Sequence, residues 1–160
     1  MGSSRRGFGV ATVMLTVALL SGCGMPMDPD GTLESVRGQV LTVGATAARD
    51  RVSLSAVGEP AGVEPDLVRA FADTIDADVV FVEGSEAELV DLLERDAIDV
   101  AIGGFLDDTP WVDKAGTTLP YAETRNPTGT TERHVLLVPL GENALLLALD
   151  RFLTDQENAA

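Results

Sequence analysis

The sequence predicts an α/β fold: a single three-layer lobe whose central sheet is mostly parallel. Residues 79–82 are a short, unbroken apolar run of the kind found in strands that are buried on both faces, and residues 98–102 are predicted to form a second buried strand, which ends at Gly103-Gly104. Between them, Ser85 and Glu88 have the spacing of a capping box, which marks the beginning of a helix. Connections this short favour a right-handed parallel crossover. The 160 residues are enough for one domain of ordinary size.

The first 22 residues resemble an export signal and are expected to lie outside the folded lobe. Arg5 and Arg6 precede an apolar stretch, residues 10–20, that is too short to span a bilayer as a stable helix. The stretch ends in Leu-Ser-Gly-Cys, which resembles the lipobox of bacterial lipoproteins, so Cys23 is the predicted site of lipid attachment; an incidental thiol is the alternative. The arginine pair also resembles a twin-arginine motif, and both that route and the Sec route stay open.

Cys23 is the only cysteine, so the sequence excludes an intrachain disulfide. Residues 23–38 combine Pro, Gly and acidic residues without periodicity, which predicts a flexible tether between membrane and lobe. We therefore expect an exported, lipid-anchored protein on the outer face of the cytoplasmic membrane, at the cell surface or in the periplasm. The lobe is predicted to occupy residues 39–155, and residues 156–160 are predicted to be a frayed tail.

The lobe begins with a predicted strand at residues 40–45, which a loop through residue 61 follows. Pro65 suits the first turn of the next helix, because its missing N–H costs nothing there. Glu64 and Asp66 lie in the same turn, where acids favour the positive end of the helix dipole; a catalytic pair of carboxylates is the alternative. The apolar face of this helix is formed by Leu67, Val68, Phe71 and Ile75.

The carboxyl-terminal third of the chain is predicted to add two strands and a helix. Residues 117–119 are expected to form a short strand, and the composition of residues 122–132 is that of a loop. Residues 134–139 form an apolar strand. Asn143 is then expected to cap a final helix that continues through residue 153.

The predicted binding site lies in the loop of residues 103–111, because ligands of open α/β sheets sit beyond the carboxyl ends of the strands. Asp107 and Asp108 can meet an ammonium group, and Trp111 can stack on a cation. The alternatives are that the paired acids form a turn beside Pro110 and that the tryptophan covers the core. The predicted ligand-binding set is Glu64, Gly104, Phe105, Asp107, Asp108, Thr109 and Trp111.

Several function classes are disfavoured by the composition. The formal net charge of −15 repels nucleic-acid phosphates, so no nucleic-acid partner is expected. The sequence has no Cys/His cluster with metal-ligand spacing and no Gly-x-Ser-x-Gly elbow. His134 is the only histidine, and its apolar neighbours place it at a strand edge. We therefore predict no cofactor, no metal and no enzymatic activity.

A family resemblance rests on the order of several motifs. Residues 62–72 read Gly-Val-Glu-Pro-Asp-Leu-Val-Arg-Ala-Phe-Ala, and residues 83–104 run from Glu-Gly-Ser-Glu to Ala-Ile-Gly-Gly. Thr109-Pro110 and residues 119–121, Leu-Pro-Tyr, follow. Together, over residues 40–121, they resemble the first lobe of the family 3 extracellular solute-binding proteins, which are receptors of ABC importers for amino acids and similar small polar solutes.

The resemblance implies a sheet order of 2-1-3-5-4 along the predicted strands, with the last strand antiparallel. It also implies that residues 134–145 form the strand and helix that return from a second lobe. Only residues 122–132 stand where that lobe belongs, which is too short a stretch to build one. An arginine that grips the ligand's α-carboxylate in this family is expected three residues after Thr109, where this chain has Val112; Lys114 is offset by two positions.

These observations predict a membrane-anchored lipoprotein with a truncated solute-binding lobe, associated with uptake by an ABC transporter or with sensing. The expected partners are a small polar or cationic solute, an ABC permease or a second protein that closes the site, and the membrane through Cys23. The first alternative is an interaction or structural module that has lost solute binding. The second is a hydrolase or lyase on the same fold.

Overall fold

The computed structural model describes residues 31–159. The predicted leader and Cys23 lie outside these residues. The elements are α1 (Thr32–Val36), β1 (Val40–Ala45), α2 (Val63–Thr74), β2 (Asp78–Glu83), α3 (Glu86–Leu93), β3 (Val100–Ile102), β4 (Ala115–Thr117), β5 (Ala122–Arg125), β6 (Thr131–His134), β7 (Leu137–Pro139) and α4 (Asn143–Ala159). None of the helices in this part of the chain has both the length and the apolar character to cross a membrane.

The main sheet has five strands in the order β2-β1-β3-β7-β4. β1 runs parallel to β2 and β3, whereas β7 runs antiparallel to β3 and β4. Because β7 is the return strand, this arrangement confirms the predicted order 2-1-3-5-4 and its one antiparallel strand. The predicted α/β class of a single, mostly parallel sheet is confirmed with it.

Helices cover both faces of this sheet. On one face α2 and α4 bury their apolar sides against β1, and the rings of Phe71 and Phe152 meet edge to face with centroids 5.7 Å apart. On the other face α3 packs Leu89 and Leu93 against β3 and β7. Gly44 allows α3 this approach, since a Cβ there would lie 2.8 Å from the Leu89 side chain of α3 and 2.5 Å from the Ile98 side chain.

The predicted capping box of α3 is confirmed. The Ser85 backbone N–H donates to Glu88 Oε2 at 2.8 Å, and the Glu88 N–H donates to Ser85 Oγ at 3.4 Å. A helix leaves four N–H groups unpaired at its beginning. Side chains accept two of them in α3.

β2 differs from the prediction of a strand buried on both faces. It lies at the edge of the sheet and pairs only with β1, so Val80 is 49% exposed. The Arg69 guanidinium covers the Phe81 ring at 4.9 Å from the centroid and shields part of the apolar edge. An apolar run has the same appearance in a central strand and in a covered edge strand, which is why the sequence misled here.

The predicted tether is wrong for its last residues, because residues 32–36 form α1 and pack on α4. Thr32 and Val36 are buried, and the Thr32 N–H donates to Glu142 Oε2 at 3.2 Å. Asn143, which was predicted to cap the final helix, is the first residue of α4, and Glu142 is the residue before it. The helix also continues through Ala159, so the predicted frayed tail is helical over residues 156–159.

Residues 122–132, predicted as a loop, form most of a β-hairpin. β5 and β6 pair antiparallel from Ala122↔His134 to Arg125↔Thr131. The turn between them is organised by Asn126, whose Oδ1 accepts the Thr130 N–H at 2.9 Å. The loop composition Asn-Pro-Thr-Gly-Thr therefore belongs to the turn alone, and the short polar strands on either side carried no apolar pattern that would reveal them.

Candidate functional site

Glu64 fixes the backbone that follows β3. Its Oε2 accepts the Gly103 N–H at 2.7 Å, its Oε1 accepts the Gly104 N–H at 3.0 Å, and its carboxylate also accepts the Tyr121 hydroxyl. The side chain is fully buried. A carboxylate with its oxygens occupied in this way positions the strand-end loop, and it does not face solvent as a ligand-binding group would.

The sequence before α2 explains how Glu64 reaches this position. Gly62 has φ +125°, and a Cβ at that residue would lie 2.4 Å from the Arg51 carbonyl oxygen. The chain can therefore turn into α2 directly against the Arg51 backbone, where the Glu64 N–H donates to the same carbonyl at 3.3 Å. α2 thus begins at the carboxyl end of β3.

A cavity of about 230 Å³ lies beyond the end of β3. The structure brings four predicted site residues together around it, and Glu86 adds a second carboxylate beside Asp108. Gly104 has φ +68°, a left-handed conformation that glycine adopts without strain. The residues that line the cavity are Glu86, Gly104, Phe105, Leu106, Asp108, Thr109 and Pro110.

Asp107 lies outside this cavity and is tied to the hairpin. Its Oδ2 accepts the Arg133 guanidinium at 3.0 Å, and its N–H donates to the Arg133 carbonyl oxygen at 2.9 Å. Arg133 also donates to Glu123 at 3.3 Å. The predicted acid pair is therefore divided, because Asp107 holds the hairpin whereas Asp108 faces the cavity.

Trp111 stands next to the cavity without lining it. Its indole N–H donates to Glu86 Oε2 at 3.4 Å, and the ring packs on the buried cluster beneath α3. The ring therefore lies against the core, as the alternative interpretation predicts, and its contact with a ligand stays a prediction. As the only tryptophan in the chain, it can report on events in the cavity through Glu86.

Three residues that were not predicted as site residues meet beside Gly104. The Arg51 guanidinium lies over the Tyr121 ring, 5.6 Å from the centroid, and the rings of Tyr121 and His134 are 6.2 Å apart. His134 is 7% exposed; its Nε2 lies 2.8 Å from Thr124 Oγ1, and its Nδ1 lacks a hydrogen-bond partner within the described chain. The Leu-Pro-Tyr motif pointed to this place, whereas nothing in the loop sequence around Arg51 did.

Burial keeps the two rings uncharged. The pKa of Tyr121 is raised well above its usual range, because burial and the nearby Glu64 carboxylate disfavour the phenolate while Arg51 favours it. The pKa of His134 is lowered by burial first and by Arg51 second, against the opposing effect of Glu64 and Glu132. At neutral pH both residues therefore act as neutral hydrogen-bonding groups.

A larger cavity, of about 490 Å³, lies against the outer side of α4. Leu119, Leu147 and Asp150 line it, and none of the predicted site residues does. Asp150 serves the structure there: its Oδ1 accepts the Leu119 N–H at 2.7 Å, and burial raises its pKa. We place the candidate site at the smaller cavity, since the carboxyl ends of parallel strands converge on it.

Comparison with known proteins gives one family match. The family described as bacterial extracellular solute-binding proteins, family 3, matches residues 41–159. No curated protein matches the chain.

Solved structures share the fold. The arginine-bound form of domain 1 from TmArgBP is 22% identical and superposes with a TM-score of 0.66, covering 77% of this chain and 96% of that one. An ancestral cationic amino acid solute-binding protein is 15% identical, with a TM-score of 0.68 and coverage of 80% and 94%. A periplasmic binding protein of Salmonella typhimurium, described for its high arginine specificity, is 12% identical, with a TM-score of 0.65 and coverage of 76% and 94%.

Proposed function

This chain belongs to the bacterial extracellular solute-binding proteins, family 3, and from that premise we propose that it binds a small, amino-acid-like polar or cationic solute at the carboxyl end of β3. The family is extracellular by its description, so the site is exposed to solutes outside the cytoplasm.

The observation that carries the proposal is the cavity beyond β3 with two carboxylates on its lining. Asp108 is exposed, and no cationic side chain of the described residues lies within 4.0 Å of its carboxylate. Asp107, in contrast, forms a salt bridge with Arg133 at 3.0 Å. Within residues 31–159, the Glu86 carboxylate accepts a hydrogen bond only from the Trp111 indole N–H, at 3.4 Å. These carboxylates favour a solute that carries a positive charge.

The structural neighbours support the same solute class. Domain 1 of TmArgBP is in an arginine-bound form as a separate domain, and two other neighbours are described by their binding of cationic amino acids or arginine. A single domain of this fold therefore suffices to hold an amino acid in that neighbour. For this chain we propose a cationic amino acid as the first solute to test.

The proposed affinity is weak, because one lobe provides one wall. Good small-molecule sites bury about 70–90% of the ligand. In the two-lobe receptors that this chain resembles, closure of both lobes provides that burial, and residues 122–134 hold a hairpin where the second lobe is expected. Losing half of the roughly −8 kcal/mol of a micromolar receptor leaves about −4 kcal/mol, which corresponds to a dissociation constant near 1 mM.

Titration of the full-length protein with L-arginine, L-lysine and L-glutamine, followed by Trp111 fluorescence and calorimetry, tests the proposal. We expect saturable binding near the millimolar range, tightest for the two cationic amino acids. Binding in the low micromolar range would contradict the one-wall argument. If none of the three amino acids binds, solute binding is contradicted and an interaction module is favoured. Thermal unfolding provides an independent check, because a ligand that binds only the native state raises its apparent stability.

The contribution of the cavity carboxylates is tested by substitution. Asp108→Asn is expected to weaken L-arginine binding by up to about fivefold, as an exposed charge pair contributes up to about 1 kcal/mol. Asp113→Asn is the matched control, because Asp113 is exposed in the same stretch but lines a different cavity, with Lys114 and Leu140. Equal effects of the two substitutions would show that net charge, and not the cavity, attracts the solute.

We further propose that the protein is anchored through lipidated Cys23 and delivers its solute to an ABC permease. The lipobox-like Leu-Ser-Gly-Cys sequence supports the anchor, and the family match supports the transport role. Weak binding by the free lobe fits a receptor whose site is completed by a second protein surface.

A further inference from the structure

The cavity beyond β3 presents negative charge to a solute and no positive charge. Asp108 and Glu86 contribute two carboxylates to its lining, and within residues 31–159 no lysine, arginine or histidine side chain lines it. Thr109 adds a hydroxyl, but a neutral hydroxyl binds a carboxylate less strongly than a guanidinium does. The lining therefore suits the ammonium group of an amino acid and repels its carboxylate.

The basic side chains that flank the strand-end loop are engaged elsewhere. Arg133 donates to Asp107 at 3.0 Å and to Glu123 at 3.3 Å. Lys114 donates to Glu94 at 2.7 Å and lines a different cavity. Each of these cations already has a carboxylate partner within the protein, so neither provides a counter-ion for a solute in the cavity.

The two arginines of the loop after β1 also lie outside the lining. The Arg51 guanidinium rests over the Tyr121 ring, 5.6 Å from its centroid. A guanidinium in that position is attracted by the negative face of the ring. Arg49 is exposed, and neither arginine is among the residues that line the cavity.

The backbone donors at this end of the sheet are occupied as well. The Gly103 N–H donates to Glu64 Oε2 at 2.7 Å, and the Gly104 N–H donates to Glu64 Oε1 at 3.0 Å. At the beginning of α3, where N–H groups attract anions, the chain places the carboxylates of Glu86 and Glu88. The protein's own acids therefore hold the positions that a solute carboxylate would need.

We propose that the cavity takes an alkyl amine or alkyl guanidine without a carboxylate, so that the site prefers a decarboxylated amino acid to the amino acid itself. This inference rests on the proposed function and narrows the solute class at the same site. Asp108 and Glu86 attract the cationic groups of such a solute, and the group for which the lining has no cationic partner is absent from it.

The test compares agmatine with L-arginine on the full-length protein, by Trp111 fluorescence and calorimetry. The two compounds share a guanidinium group and an alkyl chain, and agmatine lacks the carboxylate. We expect agmatine to bind about tenfold more tightly, because an exposed charge pair changes affinity by up to about fivefold and two carboxylates line the cavity. Cadaverine and L-lysine form a second pair, for which we expect the same order.

Substitutions separate the cavity from the rest of the surface, since a formal net charge of −15 attracts a dication in any case. The double variant Glu86→Gln with Asp108→Asn is expected to reduce the preference for agmatine to within about twofold. Asp113→Asn with Asp155→Asn is the matched control: it removes the same formal charge from exposed residues that line other cavities, and the preference should remain. Thermal unfolding shows whether both variants are folded.

Each outcome decides a different claim. Wild-type protein that binds L-arginine as tightly as agmatine, or more tightly, overturns this inference and leaves the proposed binding of cationic amino acids in place; this comparison needs no variant. An equal loss of the preference in the two double variants also overturns the inference, because net charge then causes the preference. Wild-type protein that binds neither agmatine nor any of the three amino acids overturns the inference and the proposed function together.

Discussion

At the scale of single residues, Glu64 shows how burial redirects a local signal. Its place in the first turn of α2 predicts a helix-dipole partner or a ligand contact, and both are surface roles. The structure instead directs its carboxylate at the Gly103 and Gly104 N–H groups, which are 39 and 40 residues away in sequence. No local pattern carries that pairing, because it depends on where β3 ends relative to α2.

Glu64→Ala is expected to lower the free energy of unfolding by about 2–4 kcal/mol, since it leaves buried backbone donors and the Tyr121 hydroxyl without their acceptor. Urea unfolding measures this difference. Asp66→Ala is the control, because Asp66 is an exposed acid two residues along the same helix, paired with Arg69. We expect that variant to stay within about 0.5 kcal/mol of wild type. Equal losses would contradict the structural role of Glu64.

His134 gives a pH dependence that can be assigned, because it is the only histidine. Its pKa in the folded state is lowered below 6.5, chiefly by burial, so between pH 6.5 and the folded-state pKa the unfolded chain binds more protons. The stability that neutral His134 contributes is present above pH 6.5 and is lost as pH falls through that window. NMR titration of the imidazole should give a pKa below 6.5, and His134→Gln should flatten the dependence of urea stability on pH in that window. An imidazole pKa above 6.5 would contradict this.

At the scale of elements, the parts with a strong local pattern were predictable. The Ser85–Glu88 capping box predicted where α3 begins, and the apolar residues before Gly103 predicted β3. The strand begins at Val100 rather than at Ile98. The edge position of β2 and the β5–β6 hairpin were not predictable from local pattern. Both depend on which strands lie alongside, and residues 131–134 (Thr-Glu-Arg-His) have no apolar alternation that would predict a strand.

Leu93→Ala and Ile102→Ala are each expected to lower the free energy of unfolding by about 2–5 kcal/mol, because both side chains are fully buried between α3 and the sheet or within the sheet's core. Denaturant unfolding measures this difference, and the slope of the free energy against denaturant concentration should stay unchanged. Leu140→Ala serves as the control, since Leu140 is 61% exposed and should change stability by less than about 0.5 kcal/mol. A small loss at either buried position would mean that the site is packed differently.

At the scale of the whole molecule, the sheet order followed from the family resemblance rather than from periodicity, and the strand order of the structure agrees with it. The site was predicted in part: Gly104, Phe105, Asp108 and Thr109 share one cavity, whereas Asp107 is paired with the hairpin. Arg51 escaped prediction because an arginine in an irregular loop has no spacing that indicates its neighbours.

Substitution of Cys23 tests the proposed membrane anchor of the whole protein. Wild-type protein should partition with membranes and incorporate labelled lipid, whereas Cys23→Ser should remain an unlipidated precursor of full length. Cell fractionation and metabolic labelling measure both properties. Ser21→Ala is a fitting control, because it keeps a small residue before the cysteine. Wild-type protein that is released without lipid would refute the anchor.

The hydrogen bond from the Thr32 N–H to Glu142 fixes the amino-terminal end of the described chain to the lobe. It therefore determines how many residues separate the proposed anchor from the lobe. With lipid on Cys23, the nine residue steps to Thr32 span at most about 30 Å even when fully extended. A proposed anchor with a tether of that length would hold the candidate site close to the outer surface of the bilayer. Confinement of the proposed receptor and its permease to that layer would raise the local concentration of each for the other, so that weak docking would suffice for repeated delivery.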